Sequence, residues 1–124
     1  MIIGVGTDIA ESCRIADAIE KFGVRFFEHI YAPQEIPAAK SRSVAFHAGR
    51  WAAKEAAAKA MGCGFGGSCH PAEIVVVNDS NGAPQLEFTG RTGEIFASLN
   101  ARAHLSISHE KNYATAVVIL EKTV

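Results

Sequence analysis

The chain has 124 residues, of which 48% are hydrophobic, and a formal net charge of −1 at pH 7, so we expect one globular domain over residues 1–124 with a substantial core. The near-neutral charge and the lack of alternating basic and aromatic residues argue against a nucleic-acid binder. No apolar run approaches the roughly 20 residues that span a bilayer, and the amino terminus lacks a basic signal segment, so we expect a cytoplasmic protein without a membrane segment.

The amino-terminal part of the chain alternates between a strand and short helices. Residues 2–9 are rich in β-branched residues and glycine and predict a strand that carries Asp8 near its end. Residues 11–22 place apolar side chains at helical spacing, and residues 24–31 continue in the same way before a proline-containing turn opens a short helix. At this point Asp8 has two interpretations: a turn or helix-capping residue, or a functional carboxylate.

A long helix is predicted over residues 43–61, because the run is mostly alanine and a glycine follows it at a position typical of a left-handed cap. Trp51, Glu55 and Lys59 recur every four residues and therefore share one face. Lys54 lies off this face, so we expect its replacement to have little effect on activity. The alternative is an exposed helix stabilised by Glu to Lys pairs.

A glycine-rich loop follows the long helix, with four glycines in residues 62–68. Such a backbone can approach a phosphate closely, but this loop follows a helix, whereas a P-loop precedes one. The three cysteines, Cys13, Cys63 and Cys69, are odd in number and lack Cys-x-x-Cys spacing. These features argue against a disulfide framework and against a tetrahedral zinc site.

The carboxy-terminal half predicts a hairpin, a helix and two closing strands. Turn-forming residues separate the first two strands, and apolar residues alternate with serines in the third. The strands cover residues 73–77, 85–88, 103–108 and 113–120, and the helix covers residues 89–99. The whole pattern predicts an α+β fold: a small antiparallel sheet packed with one long helix and shorter helices.

Three stretches in this order and spacing resemble the holo-acyl-carrier-protein synthase family, the short bacterial class of 4′-phosphopantetheinyl transferases. They are Gly6-Thr7-Asp8-Ile9, the run from Arg50 to Ala60, and Leu105-Ser106-Ile107-Ser108-His109. The resemblance extends to the loop 62–67 and the turn 81–84, so it covers essentially the whole chain. The chain departs from the family pattern at Trp51, Ala58 and Ala83, where phenylalanine, a small polar residue and lysine are common. Loss of the lysine charge would weaken nucleotide contacts without changing the chemistry.

The resemblance implies the 4′-phosphopantetheinyl transferase fold and a magnesium-dependent reaction in fatty acid biosynthesis. The 4′-phosphopantetheine arm of coenzyme A would pass to a serine of apo acyl carrier protein, with release of adenosine 3′,5′-bisphosphate. Asp8 and Glu55 would bind Mg²⁺, because a hard cation held by one or two carboxylates neutralises phosphate charge. The resemblance also implies a homotrimer with sites at subunit interfaces.

The resemblance assigns further residues to three roles. The catalytic residues would be Asp8, Glu55, Lys59 and His109. Coenzyme A would be bound by Arg42, Arg50, Lys59, Gly62, Gly64, Gly82, Pro84, Ser108 and His109. The carrier protein would contact Arg14, Arg25 and Phe26, the last as an exposed aromatic residue. We expect His109 to contact a phosphate in preference to acting as a general base, and we expect surface or packing roles for His29, His47, His70 and His104.

Two other functions fit parts of the pattern. A non-catalytic coenzyme A-binding module would keep the basic residues and the glycines but lose the carboxylates, whereas Asp8 and Glu55 are both present. A trimerising module cut from a larger synthase would show a severed linker, and neither terminus resembles one. We therefore expect a free-standing enzyme.

Overall fold

The fold combines five strands and five α-helices in residues 1–123, which are the residues that our computed structural model describes. In chain order they are β1 (Ile2–Glu11), α1 (Ser12–Phe22), α2 (Val24–Ile30), α3 (Ile36–Ala39), α4 (Val44–Met61), a 3₁₀ helix (Pro71–Glu73), β2 (Ile74–Asn78), β3 (Pro84–Phe88), α5 (Gly90–Ser98), β4 (Ala101–His109) and β5 (Tyr113–Lys122). Val124, the last residue of the predicted domain, lies outside the described residues.

The strands form two antiparallel sheets, where the sequence predicted one. The larger sheet has the strand order β1-β5-β4, and β2 and β3 form a separate hairpin. The mixed α and β architecture with antiparallel pairing is therefore confirmed. In the larger sheet Asp8 lies opposite Ala116, and Ser108 lies opposite Thr115. None of the helices within residues 1–123 is long and apolar enough to cross a bilayer.

Helix α4 begins and ends where its local sequence predicts. The Ser43 hydroxyl accepts a hydrogen bond from the Phe46 backbone N–H at 3.2 Å, and Gly62 ends the helix in the left-handed conformation with φ 77°. The helix packs closely on β1, because a Cβ atom at Gly6 would overlap the carbonyl of Ala56. Its alanines are buried on several sides. The alternative of an exposed helix is therefore wrong.

Lys54 is a core residue of α4 and is fully buried. Its ammonium group donates hydrogen bonds to the Glu35 carboxylate at 2.9 Å, to the Pro71 carbonyl at 2.9 Å and to the Ile74 carbonyl. Glu35 also accepts from the Val76 backbone N–H at 3.2 Å. Burial lowers the pKa of Lys54, and the adjacent Glu35 carboxylate opposes that shift. Replacement of Lys54 should therefore disturb the core, an effect on stability that its place on the helix did not predict.

His47 is a packing histidine, as expected. Its ring is buried, and its Nδ1 atom lies 2.6 Å from the Tyr31 hydroxyl. The rings of Phe26, Phe27 and Phe46 surround it edge-on. Burial lowers the pKa of His47, so the neutral ring is the form that this cluster favours.

Cys63 and Cys69 form a disulfide across the glycine-rich loop, with a Cα–Cα distance of 5.9 Å. The argument against disulfides is therefore wrong for these two cysteines, while Cys13 is free and exposed. The error arose because spacing motifs describe metal and redox sites, whereas here a glycine-rich turn brings two cysteines six positions apart into contact.

Candidate active site

Asp8 and Lys59 form an ion pair between β1 and α4. The Lys59 ammonium lies 3.0 Å from the Asp8 carboxylate and also donates a hydrogen bond to the Thr7 carbonyl at 3.0 Å. Asp8 lies within β1, paired in register with Ala116, so it neither caps a helix nor forms a turn. Its interpretation as a capping or turn residue is wrong.

Glu55 lies one helical turn before Lys59, close to the Asp8 carboxylate. Burial raises the pKa of Glu55, the negative charge of Asp8 raises it further, and the Lys59 ammonium lowers it. The three side chains, which we call the acidic cluster, therefore hold two carboxylates near one cation. Additional positive charge at this position would relieve the repulsion between the carboxylates.

The acidic cluster supplies few ligands of its own for a metal. Residues 1–123 contain no group of three or more His, Cys, Asp or Glu side chains arranged to hold an ion. Two carboxylates nevertheless fit Mg²⁺, which usually keeps several waters and is bound by one or two carboxylates together with substrate phosphates. The donor set is therefore of the type that Mg²⁺ uses when it shares its coordination with a phosphorylated substrate.

A cavity of about 460 Å³ adjoins the acidic cluster. Asp8 and Lys59 line it together with the hydroxyl-bearing residues Thr7, Ser106, Ser108 and Thr115. Of these four residues the sequence selected only Ser108 as a site residue. Ser106 could have been found from the apolar and polar alternation of its strand, whereas Thr115 depends on how β4 pairs with β5.

Arg42, Phe46 and Arg50 form a second, positively charged cluster, which we call the basic cluster. The guanidinium groups of Arg42 and Arg50 lie 4.5 Å and 4.4 Å from the centre of the Phe46 ring. Arg50 also donates a hydrogen bond to the Asn78 side chain at 3.3 Å. Burial lowers the pKa of Arg50 from its ordinary value. An arginine guanidinium nevertheless stays charged at neutral pH.

The basic cluster adjoins its own cavity, of about 230 Å³. That cavity brings together five of the residues selected from the sequence, namely Arg42, Arg50, Gly82, Pro84 and His109. Gly62 and Gly64 line neither this cavity nor the one beside Asp8. Sequence reasoning missed Phe46 and Asn78; the spacing of four residues between Phe46 and Arg50 was the available signal for the first.

The two clusters face in opposite directions within one chain. Nine residues separate Arg50 from Lys59 on α4, which corresponds to about 13 Å along the helix axis and to a rotation of about 180°. The sequence-predicted site residues are therefore divided between two cavities on different sides of the same helix. A ligand that touches both clusters of one chain would have to pass around α4.

An apolar groove of about 500 Å³ lies between α1, α2 and α4. Phe22, Arg25, Phe26 and Trp51 line it, and Trp51 also lines a neighbouring cavity with Arg14. Phe26 is only 8% exposed, so its expected exposure is wrong, and Phe22, at 42%, is an exposed aromatic residue of the groove. The Arg25 guanidinium lies 5.6 Å from the Phe22 ring centre. The groove thus combines apolar and cationic contacts.

The two antiparallel sheets and the long central helix have counterparts in one family of enzymes. Residues 4–118 match the family described as the 4′-phosphopantetheinyl transferase superfamily. Because the match covers most of the chain, the chain belongs to this superfamily.

Individual relatives show which members of this superfamily the chain is similar to. A holo-[acyl-carrier-protein] synthase from Nitratidesulfovibrio vulgaris (strain Hildenborough) is 47% identical over 98% of this chain and 99% of its own length. The crystal structure of such a synthase from Neisseria meningitidis has a TM-score of 0.91 and 34% identity, covering 98% of this chain and 100% of that one. A synthase from Bacillus anthracis in complex with CoA (3′,5′-ADP) has a TM-score of 0.83 and 38% identity, covering 99% of both chains. The predicted resemblance to holo-acyl-carrier-protein synthases, and the enzyme class that it implies, are confirmed.

Proposed function

We propose that this enzyme transfers the 4′-phosphopantetheine arm of coenzyme A to a serine of apo acyl carrier protein and releases adenosine 3′,5′-bisphosphate. The observation that carries the proposal is the acidic cluster of Asp8, Glu55 and Lys59, accompanied by the paired guanidinium groups of Arg42 and Arg50. The relatives named above and the Bacillus anthracis complex with CoA support the same chemistry. As the resemblance implies, we assign the reaction to fatty acid biosynthesis. As length and composition indicate, we place it in the cytoplasm and the enzyme in one domain.

Asp8 and Glu55 are the residues that would hold Mg²⁺. Burial raises the pKa of Glu55 and the negative charge of Asp8 raises it further, so a cation beside the two carboxylates would stabilise their charged forms. When bound, the ion would supply positive charge against the pyrophosphate of coenzyme A. Lys59 remains half-exposed beside Asp8, so its ammonium group can contact the same phosphates.

The chemistry requires one bond to form and one to break. The serine oxygen bonds to the phosphorus next to the pantetheine, and the bond from that phosphorus to the bridging oxygen of the pyrophosphate breaks. The bridging oxygen leaves with the nucleotide. The serine proton must pass to a base, and the carboxylates of the acidic cluster, Asp8 and Glu55, are placed to position one. Arg42 and Arg50 bind the phosphates of the nucleotide, and their charge favours the leaving group.

We propose that the complete site forms between two copies of the chain in a homotrimer. The acidic and basic clusters lie on opposite sides of α4, so one copy cannot present both to a short ligand. The outer face of the larger sheet, beside the acidic cluster, exposes Val5 (58%) and Ile9 (63%), next to the strand that carries Val117 and Ile119. A second copy covering this face would bury apolar surface and bring its Arg42, Arg50 and His109 towards Asp8.

We propose that the carrier protein docks at the apolar groove between α1, α2 and α4. The Arg14 and Arg25 guanidinium groups at its rim would attract an acidic partner, while Phe22 and Trp51 offer apolar contact. Phe26 supports the groove from beneath, because it is buried.

The reaction can be tested by mass spectrometry of apo acyl carrier protein incubated with coenzyme A, Mg²⁺ and the enzyme. The carrier should gain the mass of one phosphopantetheine, and adenosine 3′,5′-bisphosphate should appear in equal amount. Glu55→Gln should abolish most of the gain, whereas Glu87→Gln, on the exposed face of β3, should not change it. A carrier of unchanged mass across a wide range of enzyme and Mg²⁺ concentrations would contradict the proposal.

A further inference from the structure

The disulfide between Cys63 and Cys69 closes a loop that lies next to the apolar groove. Cys69 is fully buried and Cys63 is partly exposed, so exchange with a thiol or disulfide in solution would begin at Cys63. The Phe65 ring, inside the loop, lies 5.6 Å from the Trp51 ring at an angle of 50°. Trp51 in turn lines both the apolar groove and the cavity beside Arg14.

Apart from the disulfide, backbone hydrogen bonds and the packing of Cys63 and Phe65 against the core hold this loop in place. A Cβ atom added at Gly64 or Gly66 would meet nothing within 4 Å, so both positions border open space. The Gly67 backbone N–H donates to the Gly64 carbonyl at 3.1 Å, and the Cys63 backbone N–H donates to the Ala58 carbonyl at 3.0 Å. The disulfide is thus the only covalent restraint on the loop besides the main chain. Its loss should let Phe65 move away from Trp51 more often.

We propose that Cys63 and Cys69 are a reversible redox site that controls docking of the carrier protein, an inference that rests on the proposed function. In the forward step the two thiols react with a small-molecule disulfide, which gives the Cys63–Cys69 bond and two molecules of the small thiol. A reducing thiol reverses the step. The cytoplasm expected from the sequence is a reducing compartment, where disulfides are usually transient, catalytic or redox-sensing.

The two redox states should differ in carrier affinity and not in coenzyme A affinity. In the oxidised state Phe65 is held against Trp51, so the groove is ordered before the carrier arrives. In the reduced state the loop must be ordered on docking, which should raise the KM for the carrier protein about threefold to tenfold. Neither Phe65 nor Trp51 lines the cavities of the acidic or basic cluster, so the KM for coenzyme A should not change.

The test uses the full chain, equilibrated either with oxidised glutathione or with dithiothreitol. Alkylation followed by mass measurement should find Cys63 and Cys69 joined in the oxidised sample, where Cys13 keeps its thiol or carries one glutathione, and should find three reactive thiols in the reduced sample. Initial rates should then be measured with apo carrier protein and with coenzyme A as the varied substrate. Cys13→Ser should keep the difference between the two states.

Three variants separate the loop from other effects of the reagents. Cys63→Ser should show the high carrier KM under either reagent. Cys69→Ala, a second variant that also removes the disulfide, should do the same. Phe65→Ala should show it while the disulfide still forms. Three reactive thiols in the oxidised sample, or equal carrier KM values in both states, would overturn the inference while leaving the transferase activity intact. Absence of transfer in both states would overturn the proposed function and this inference together.

Discussion

Two lysines five positions apart on α4 have different roles because their environments differ. Lys54 is fully buried and ion-paired with Glu35, whereas the Lys59 side chain is 52% exposed and paired with Asp8. A buried charge that loses its partner is costly, while a half-exposed pair contributes little to stability. Lys54 should therefore act on stability and Lys59 on catalysis.

This difference gives a prediction for two variants. Lys54→Met should reduce the free energy of unfolding by about 3–5 kcal/mol, because the Glu35 carboxylate stays buried without its partner. Lys59→Met should keep nearly the parent stability but lose most of the transfer rate. Urea unfolding and initial-rate measurements on both proteins check these outcomes. The exposed Lys40 offers a matched control, since Lys40→Met should change little. Equal stability of the Lys54 and Lys59 variants would contradict the assignment.

At the scale of elements, the fold depends on the close approach of β1 to α4. A side chain at Gly6 would overlap the Ala56 carbonyl of the helix, and one at Gly4 would overlap the Ala60 carbonyl. Both obstacles are backbone atoms, which cannot rotate aside. This approach also sets how Asp8 on the strand meets Lys59 on the helix.

Gly6→Ala should therefore destabilise the protein by about 3 kcal/mol or more and should also reduce activity, because β1 would have to move from α4. Gly66→Ala introduces the same methyl group where nothing lies within 4 Å, so it is the control and should be nearly neutral. Thermal melting and transfer rates measure both effects. A Gly6→Ala protein with parent stability would show that the strand and helix are not in such close contact.

Helix α5 is capped by a distant carboxylate. Glu73 accepts hydrogen bonds from the Thr92 hydroxyl at 2.7 Å and from the backbone N–H groups of Thr92 and Arg91 at 3.1 Å and 3.3 Å. The Thr92 hydroxyl is the main reason that the pKa of Glu73 is lowered. An acid with a lowered pKa stabilises the fold above its ordinary pKa and loses that contribution as the pH falls.

Glu73→Gln should accordingly cost about 1 kcal/mol at pH 7, the usual value of a helix cap. The difference from the parent should shrink as the pH falls below about 5, because the parent carboxylate becomes protonated. Melting curves from pH 7 down to acid conditions test this, with Glu94→Gln on the exposed side of α5 as the control. A difference that grows towards low pH would have the wrong sign for the proposed cap.

Features set by neighbouring residues could be predicted, and features set by distant residues could not. Both ends of α4 follow from Ser43 and Gly62, which act locally. Glu35, the buried partner of Lys54, lies 19 residues away in the sequence, and Glu73, which caps α5, lies 18 residues before Arg91. Such contacts exist only after folding, so periodicity alone does not reveal them.

The same division holds for the candidate site. Helical spacing predicted that Glu55 and Lys59 share a face, and the motifs selected Asp8, which the fold brings to within 3.0 Å of Lys59. Spacing did not show that Arg50 joins Arg42 around Phe46, because Arg42 lies before α4. The division of the site residues into two clusters therefore needed the structure.

For the whole molecule, the central claim is that one active site uses the acidic cluster of one chain and the basic cluster of another. The clusters lie on opposite sides of α4, and an exposed apolar sheet face lies beside the acidic one. Light scattering should accordingly report a mass near three chains. A monomeric mass at working concentration would contradict this arrangement.

Subunit mixing tests the claim most directly. Glu55→Gln damages only the acidic cluster, and the double variant Arg42→Ala/Arg50→Met damages only the basic cluster; each protein alone should be almost inactive. When the two are unfolded and refolded together in equal amounts, about a quarter of the subunit boundaries should combine an intact acidic cluster with an intact basic cluster. The account predicts that transfer activity returns to about a quarter of the parent value, in line with that fraction. Mixed assemblies no more active than the two parents would show that each chain builds its own site.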